Sequence, residues 1–273
     1  MFVSVTVFEV RKRIMELKKH GKPITNFYPG ILSDEQEVFM LEVEGAIVFV
    51  VQEENRKRAF FVSTDDVSLQ EALRELPSGV ILENVYREDE DPLKNLLESA
   101  DFKEYATYMR ETICYHSNPY LIPETGRRAM LQDMYDTTYC EYGEETDAEE
   151  LCQITKDTFD PLCDDVFTLE KWKEVLRNRE CMVYRENGKI VSYYVWRLEG
   201  RKLYGNISVN KGPANYLYNL ERFVFEQMWE KGIRVFYAWY NEENIKALRR
   251  SNKRVGEAIK TKNTIYNGIY IKR

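Results

Sequence analysis

The sequence has few of the residues on which several common catalytic sites depend. It contains two histidines, His20 and His116, and five cysteines that show neither metal-type pairing nor a CxxC motif. We therefore expect neither a histidine-rich metal site nor a Ser-His-Asp triad. An odd number of cysteines in a chain without a targeting segment favours reduced thiols over disulfides.

Long apolar runs are absent as well. No stretch approaches the ~18 apolar residues that a membrane-spanning helix needs, and nothing resembles a signal peptide. The hydrophobic content of 44% and the aromatic content of 13% are typical of a folded globular chain. These features predict a cytoplasmic protein without a membrane partner.

Charge is distributed unevenly along the chain. The net charge is −7, yet residues 201–273 carry 15 Lys and Arg against 6 Asp and Glu, a local charge of +9. Such an asymmetry is typical of a surface that meets a nucleotide, a phosphate or a nucleic acid. The alternative is a solvated basic face that pairs with the acidic parts of the protein.

Two stretches repeat the same pattern of three apolar strands. Residues 38–63 place a turn at Glu44-Gly45 between the first two strands, and residues 182–209 place one at Asn187-Gly188. Asn-Gly between alternating apolar runs predicts a hairpin, because a type I′ turn needs positive φ at both central positions. Helices and strands alternate after each triplet, which predicts a duplicated α/β unit.

The elements after the second triplet are marked by capping residues. Asn215 is predicted to cap a long helix, Tyr216–Lys231, which follows a loop at residues 210–214. A strand Arg234–Tyr240 and a helix Glu242–Asn252 follow, and the strand Ile265–Ile271 is predicted to close the second unit. Capping boxes are predicted at Ser68-Leu-Gln-Glu71 and Thr146-Asp-Ala-Glu149.

This order of elements resembles that of the GCN5-related N-acetyltransferase (GNAT) family. The stretch Trp239-Tyr240-Asn241-Glu242-Glu243-Asn244-Ile245-Lys246-Ala247 is similar to the family's strand end followed by an N-x-x-A/S helix. Ser251-Asn-Lys-Arg-Val-Gly256 resembles the helix end and closing glycine that follow, and Leu93–Tyr105 resembles the same ending in the first unit.

The resemblance implies an α/β (α+β) protein of two GNAT-like domains, each a mixed, mostly antiparallel sheet flanked by helices. Residues 1–125 would form a degenerate, non-catalytic domain, and residues 126–273 an acyltransferase domain. The loop Ser63-Thr-Asp-Asp66 of the first domain places two carboxylates where a pyrophosphate would lie, and like charges there oppose binding.

In that family the cofactor, acetyl-CoA or another acyl-CoA, lies where the fourth and fifth strands separate, with its pyrophosphate at the next helix N-terminus. The resemblance places the cofactor-binding residues at the following positions: Ile207, Val209, Lys211, Gly212, Ala214, Asn215 and Asn244. The family's glycine-rich loop is only partly present, because Tyr216 and Leu217 stand where glycine would ease a close approach.

Catalytic residues are carried over in the same way. The position of the family's acidic tyrosine is Ser251, a poor acid, and Tyr240 or Tyr218 is an alternative. Residue type alone favours a packing role in the core for each of these two tyrosines. Asp164 and Asp165, in an acidic loop, are candidates for binding a cationic amine. The basic residues at one helix end suit the 3′-phosphate of coenzyme A or serve as helix-end charges: Arg249, Arg250, Lys253 and Arg254.

The leading function is an acyl-CoA-dependent N-acyltransferase, with acetyl as the expected acyl group, that acts on an amine of a small molecule or peptide. An aminoacyl-tRNA-dependent transferase on the same duplicated fold is an alternative with tRNA as partner, and a non-catalytic binding module is a third. The sequence does not favour DNA as a partner, and it leaves monomer and dimer open.

Overall fold

The computed structural model describes residues 2–28, 32–33, 36–53, 55–87, 90–121, 126–244, 259–260 and 264–273. Its strands are β1 (Val3–Val5), β2 (Ile24–Thr25), β3 (Val38–Val43), β4 (Ala46–Gln52), β5 (Lys57–Ser63), β6 (Val80–Tyr86), β7 (Phe102–Cys114), β8 (Cys140–Tyr142), β9 (Cys181–Glu186), β10 (Lys189–Glu199), β11 (Lys202–Asn210), β12 (Val235–Asn241), β13 (Ile259–Lys260) and β14 (Ile265–Lys272). Its helices are α1 (Val7–Leu17), α2 (Asp66–Arg74), α3 (Lys94–Ser99), α4 (Arg127–Asp133), α5 (Ala148–Thr158), α6 (Leu169–Arg177) and α7 (Ala214–Glu230).

The chain forms two compact units, in line with the predicted duplication. The first unit consists of Met1–Tyr108 together with Ile265–Arg273, and the second of Met109–Thr264. These bounds differ from the predicted domains, 1–125 and 126–273, because the division falls inside β7 and the last strand returns to the first unit. Residues 113–135, which span the predicted boundary between the domains, include the end of β7 and the helix α4.

The first unit is a mixed sheet in the order β1-β3-β4-β5-β6-β14, with β2 beside β5. The triplet β3, β4 and β5 is antiparallel as predicted, and β6 runs parallel to β5. Adjacent residues of β4 enter different cores: Val48 packs with α2 and α3 on one face, and Phe49 packs with α1 on the other. The near-continuous burial of β4 follows from this two-sided cover.

The strand β14 corrects one prediction. It does not close the second unit but pairs antiparallel with β6, from Tyr266 opposite Tyr86 to Ile271 opposite Ile81. Tyr270 is 1% exposed in the core of the first unit, where its hydroxyl donates to Asp91 Oδ2 at 2.8 Å. Alternation predicts that these residues form a strand, but alternation carries no information about which strand it pairs with.

The second unit has the order β7-β12-β11-β10-β9-β8, to which β7 contributes its residues from Met109 onward. β9, β10 and β11 are antiparallel, and the turn between β9 and β10 has positive φ at Asn187 (50°) and Gly188 (76°), as the Asn-Gly signal predicts. α5 and α6 cover one face, where Trp172 is fully buried, and α7 covers the other through residues such as Leu220.

Helix starts differ from several predictions. α2 begins at Asp66 with Asp65 as N-cap, so Ser68 donates to the cap instead of forming it. The capping box before α5 involves Glu144 and Asp147 rather than Thr146. Short polar side chains can cap from several neighbouring positions, so the residue type predicts a helix start more reliably than the register. No helix within the described ranges combines the length and the apolar character that crossing a bilayer demands.

Candidate active site

The strands β11 and β12 separate in the second unit. They pair in parallel from Lys202 opposite Val235 to Gly205 opposite Ala238, and no pair follows although both strands continue. On its other side β11 carries a β-bulge: Val195 pairs with Ile207 and Trp196 with Gly205, which leaves Asn206 without a residue opposite. A bulge bends its strand, and this one coincides with the point where β11 leaves β12.

Past Gly205, the β12-facing edge of β11 therefore has no neighbouring strand among the described residues. A strand edge offers a ladder of N–H and C=O groups to any extended ligand. The predicted cofactor residues Ile207 and Val209 lie in this part of β11. Their side chains belong to the core under α5 and α6, so only their backbone faces the gap that opens between β11 and β12.

The helix α7 starts just beyond this edge. Its N-cap is Pro213, which makes no side-chain hydrogen bond, and the predicted cap Asn215 lies inside the helix, so that prediction was wrong. The first amides of a helix have no intrahelical acceptor, and within the described residues no side chain caps them. Ala214 and Asn215 thus present N–H groups at the positive end of a 17-residue helix.

The loop before α7 is held by its own hydrogen bonds. The N–H of Lys211 donates to the Val191 carbonyl at 2.8 Å, and the N–H of Gly212 donates to Asn210 Oδ1 at 3.2 Å. The amide of Gly212 is thus already engaged. The Lys211 side chain is exposed, which leaves its ammonium accessible to a ligand.

Tyr216 turns away from the gap. Its ring stacks on Tyr184 of β9 at 3.9 Å between centroids, and its hydroxyl donates to Glu186, which with burial raises the pKa of Tyr216 to about 12. A Cβ on Gly212 would lie 2.5 Å from this ring, so the glycine makes room for Tyr216. Because β9 lies beyond β10 from β11, the ring does not fill the space beside β12.

The first unit has the same arrangement with the helix start closed. Asp65 Oδ1 accepts the N–H of Ser68 at 2.8 Å at the start of α2, and this hydrogen bond is the largest cause of the lowered pKa of Asp65. The chain's own carboxylate therefore occupies the position of an external anion. The predicted repulsion at Ser63–Asp66 thus has a structural counterpart in this cap.

The gap between β5 and β6 is also filled by the chain itself. These strands pair only from Lys57 to Ala59, and β2 then takes the edge of β5 next to Val62 and Ser63. The Asn26 side chain donates to the Ala59 carbonyl at 3.2 Å and to the Glu83 carbonyl at 2.9 Å, and it accepts the N–H of Phe61 at 2.8 Å. Residues 24–26 lie where an extended ligand would lie in the second unit.

Only some of the predicted catalytic residues lie near the gap between β11 and β12. Tyr240 is half-buried on β12, past the last pair with β11. Asn244 is exposed in a turn in which Asn241 Oδ1 accepts the N–H of Glu243 at 2.9 Å. Ser251 and the basic residues 249, 250, 253 and 254 lie outside the described residues. Tyr218 packs edge-on against Tyr120 at 5.8 Å.

The two acidic candidates have different surroundings. Asp164 Oδ2 accepts the N–H of Asp160 at 2.9 Å, so its carboxylate shapes the loop between α5 and α6. Asp165 is exposed. Burial raises the pKa of Tyr204, and the charge of Asp165 raises it further.

Sequence reasoning missed a set of side chains on the same face of the sheet as α5 and α6. Tyr204 stacks on Tyr237 of β12 at 4.8 Å, and the Arg110 guanidinium lies 5.5 Å from the Tyr237 ring and 5.8 Å from the Trp239 ring. The spacing of Tyr237 and Trp239 could have indicated one face of a strand. Arg110 could not have been found, because only the tertiary structure brings β7 beside β12.

Comparisons with known proteins rest on structure alone. No protein-family model matches the chain, and no curated protein matches its sequence. In structure it is similar to a GCN5-related N-acetyltransferase from Sphaerobacter thermophilus, with TM-score 0.54, 13% identity and coverage of 89% of this chain and 83% of that chain.

Two further solved structures match over nearly the whole length. A tandem GNAT protein from the clavulanic acid biosynthesis pathway has TM-score 0.54 and 11% identity, and covers 99% of this chain and 97% of its own. A GNAT-family acetyltransferase from Colwellia psychrerythraea has TM-score 0.51 and 10% identity over 100% of both chains. The protein therefore has the fold of the GCN5-related N-acetyltransferases.

Proposed function

We propose that the second unit is an acyl-CoA-dependent N-acyltransferase, with acetyl-CoA as the expected donor and a primary amine as acceptor. One observation carries the proposal. The gap between β11 and β12 and the start of α7 are open among the described residues, whereas Asn26 and Asp65 close both positions in the first unit.

The residues around the second gap fit such a donor. The backbone of Asn206–Asn210 offers hydrogen bonds to the amides of a pantetheine arm. The N–H groups of Ala214 and Asn215 suit a pyrophosphate, and the Lys211 ammonium adds a compensating charge. When bound, an acyl-CoA supplies the acyl group as an activated thioester.

Tyr240 is the candidate for proton transfer. It lies on the part of β12 that has left β11, and a phenol there can donate its proton to a leaving thiolate. Phe236, four residues earlier on β12, packs toward α7. Because side chains alternate along a strand, Tyr240 lies on the α7 face and Trp239 on the face of Arg110. Donor and acceptor would thus approach from opposite faces of the sheet.

The test is a pair of matched substitutions at the second position of a helix. Asn215→Asp puts a carboxylate at the start of α7, and Val67→Asp puts one at the same position of α2. Asn215→Asp should stabilise α7 by about 0.3–1 kcal/mol through the helix dipole, and Val67→Asp should stabilise α2 by less, because Asp65 and Asp66 already lie at that helix start. Only Asn215→Asp should weaken acetyl-CoA binding, by about tenfold or more, because the new charge repels the pyrophosphate.

Calorimetric titration with acetyl-CoA, together with thermal unfolding of both variants, separates these effects. Equal affinities for both variants would remove the start of α7 from the binding site. No acetyl-CoA binding to the native protein at millimolar concentration would refute the proposal and favour a non-catalytic module.

A further inference from the structure

A row of side chains crosses four strands on one face of the second unit. Arg197 of β10 lies over Tyr204 of β11 at 4.8 Å, Tyr204 stacks on Tyr237 of β12, and Arg110 of β7 lies over Tyr237 and Trp239. The stacked pair Tyr204 and Tyr237 thus has a guanidinium group at each end.

The row cannot serve as an aromatic cage for a cation. Tyr237 has Tyr204 on one side at 4.8 Å and the Arg110 guanidinium on the other at 5.5 Å, so its ring faces are already covered. A cage for an ammonium group, or a platform for a nucleic acid base, needs a free ring face.

The charges of the row do not cancel. Arg197 is paired with Glu199, with 2.7 Å between Nη2 and Oε1, and Glu199 also accepts the Tyr237 hydroxyl. Arg110 forms no ion pair with a carboxylate of the described residues, and its buried Nε has no hydrogen-bond partner there. The Nε is enclosed by protein atoms, but the guanidinium keeps a positive charge that no carboxylate of the described residues balances, and a bound anion would balance it.

The row also lies next to the gap. Tyr204 and Tyr237 form the pair immediately before Gly205 and Ala238, the last pair of β11 and β12. One residue spans about 3.3 Å along a strand, so the row borders the place where an acyl group would lie.

We propose that Arg110 binds a carboxylate of the acceptor, so that the acceptor is an amine that also carries a carboxylate, such as an amino acid. This inference rests on the proposed function of the second unit. A guanidinium forms two parallel hydrogen bonds with a carboxylate, which orients the ligand as well as binding it.

The experiment uses pairs of amines that differ only in the carboxylate. The L-amino acids and their decarboxylated counterparts, for example L-lysine and cadaverine, are offered to the full-length protein with acetyl-CoA. Mass spectrometry follows the acetylated products. We expect kcat/KM to be at least tenfold higher for the carboxylate-bearing member of the preferred pair.

Three variants locate the effect. Arg110→Gln should raise KM for the carboxylate-bearing amine at least tenfold, with little change for its decarboxylated counterpart or in the Kd of acetyl-CoA. Arg110→Lys should recover part of the loss, because it restores the charge without the planar fork. Arg179→Gln removes another arginine that lies over an aromatic ring, that of Tyr142, and should change neither constant.

The outcomes separate the two proposals. If acetyl-CoA binds but the carboxylate has no effect, or if Arg110→Gln affects both members of a pair equally, the inference is wrong and the proposed function stands. If acetyl-CoA does not bind, the proposed function fails, and thermal unfolding with each amine alone decides the inference. A shift that needs both the carboxylate and Arg110 would support the anion site, and its absence would overturn it.

Discussion

Asn26 offers the sharpest test of the closed gap in the first unit. Its side chain joins β5 to β6 through three hydrogen bonds, two donated to the carbonyls of Ala59 and Glu83 and one accepted from the N–H of Phe61. Asn26→Ala removes all three and leaves half-buried backbone groups without these partners. We expect the free energy of unfolding to fall.

The magnitude follows from the hydrogen bonds that are lost. Each contributes about 0.5–1.5 kcal/mol net, and water that enters the vacated space recovers part of the loss. The expected decrease is therefore about 2–3 kcal/mol. Asn26→Asp should destabilise at least as much, because its carboxylate can still accept from Phe61 but faces two carbonyl oxygens.

Equilibrium urea unfolding followed by circular dichroism measures these changes. Asn95→Ala is the matched control, since Asn95 is exposed on α3 and its substitution should change stability by less than about 0.5 kcal/mol. A decrease for Asn26→Ala no larger than that of the control would show that Asn26 does not hold the two strands together.

Two further predictions concern the first unit. Tyr270→Phe should lower the free energy of unfolding by about 1–2 kcal/mol, because Asp91 loses a buried hydrogen-bond donor. Tyr266→Phe, on the same strand, is the control and should have little effect. Thermal and urea unfolding of both variants measure the difference. Glu104 has a lowered pKa, mainly through its hydrogen bond from Lys94, so its contribution to stability is present above the ordinary glutamate pKa and is lost as the pH falls through the lowered value. For this exposed pair the contribution is about 0.5 kcal/mol. The free energy of unfolding of the native protein and of Glu104→Gln, measured from pH 7 to pH 3, should converge at the acidic end. A difference between the two proteins that stays constant over this pH range would contradict the prediction.

Local patterns in the sequence predicted most of the elements correctly. The three strands before Ser63 and the three before Asn210 follow from alternation, and the Asn187-Gly188 turn follows from the backbone freedom of those two residues. These signals depend on neighbours in the chain. The sequence therefore predicts them without any knowledge of tertiary contacts.

The cap positions show where local chemistry stops being decisive. Asp65 and Ser68 are both residue types that occur at the start of a helix, and so are Pro213 and Asn215 in the second unit. The choice depends on where the preceding strand ends, which its pairing with other strands sets. The closure of the first gap by Asn26 was likewise invisible, because 33 residues separate it from Ala59.

The sequence by itself determined that a strand–helix unit occurs twice, because alternation, turns and caps act between residues close in the chain. Only the tertiary structure decided that β14 completes the first unit, that the second gap remains open beside α7, and that Arg110 meets Tyr237. Strand pairing joins residues far apart in sequence, and an alternating strand satisfies any partner that buries its apolar side.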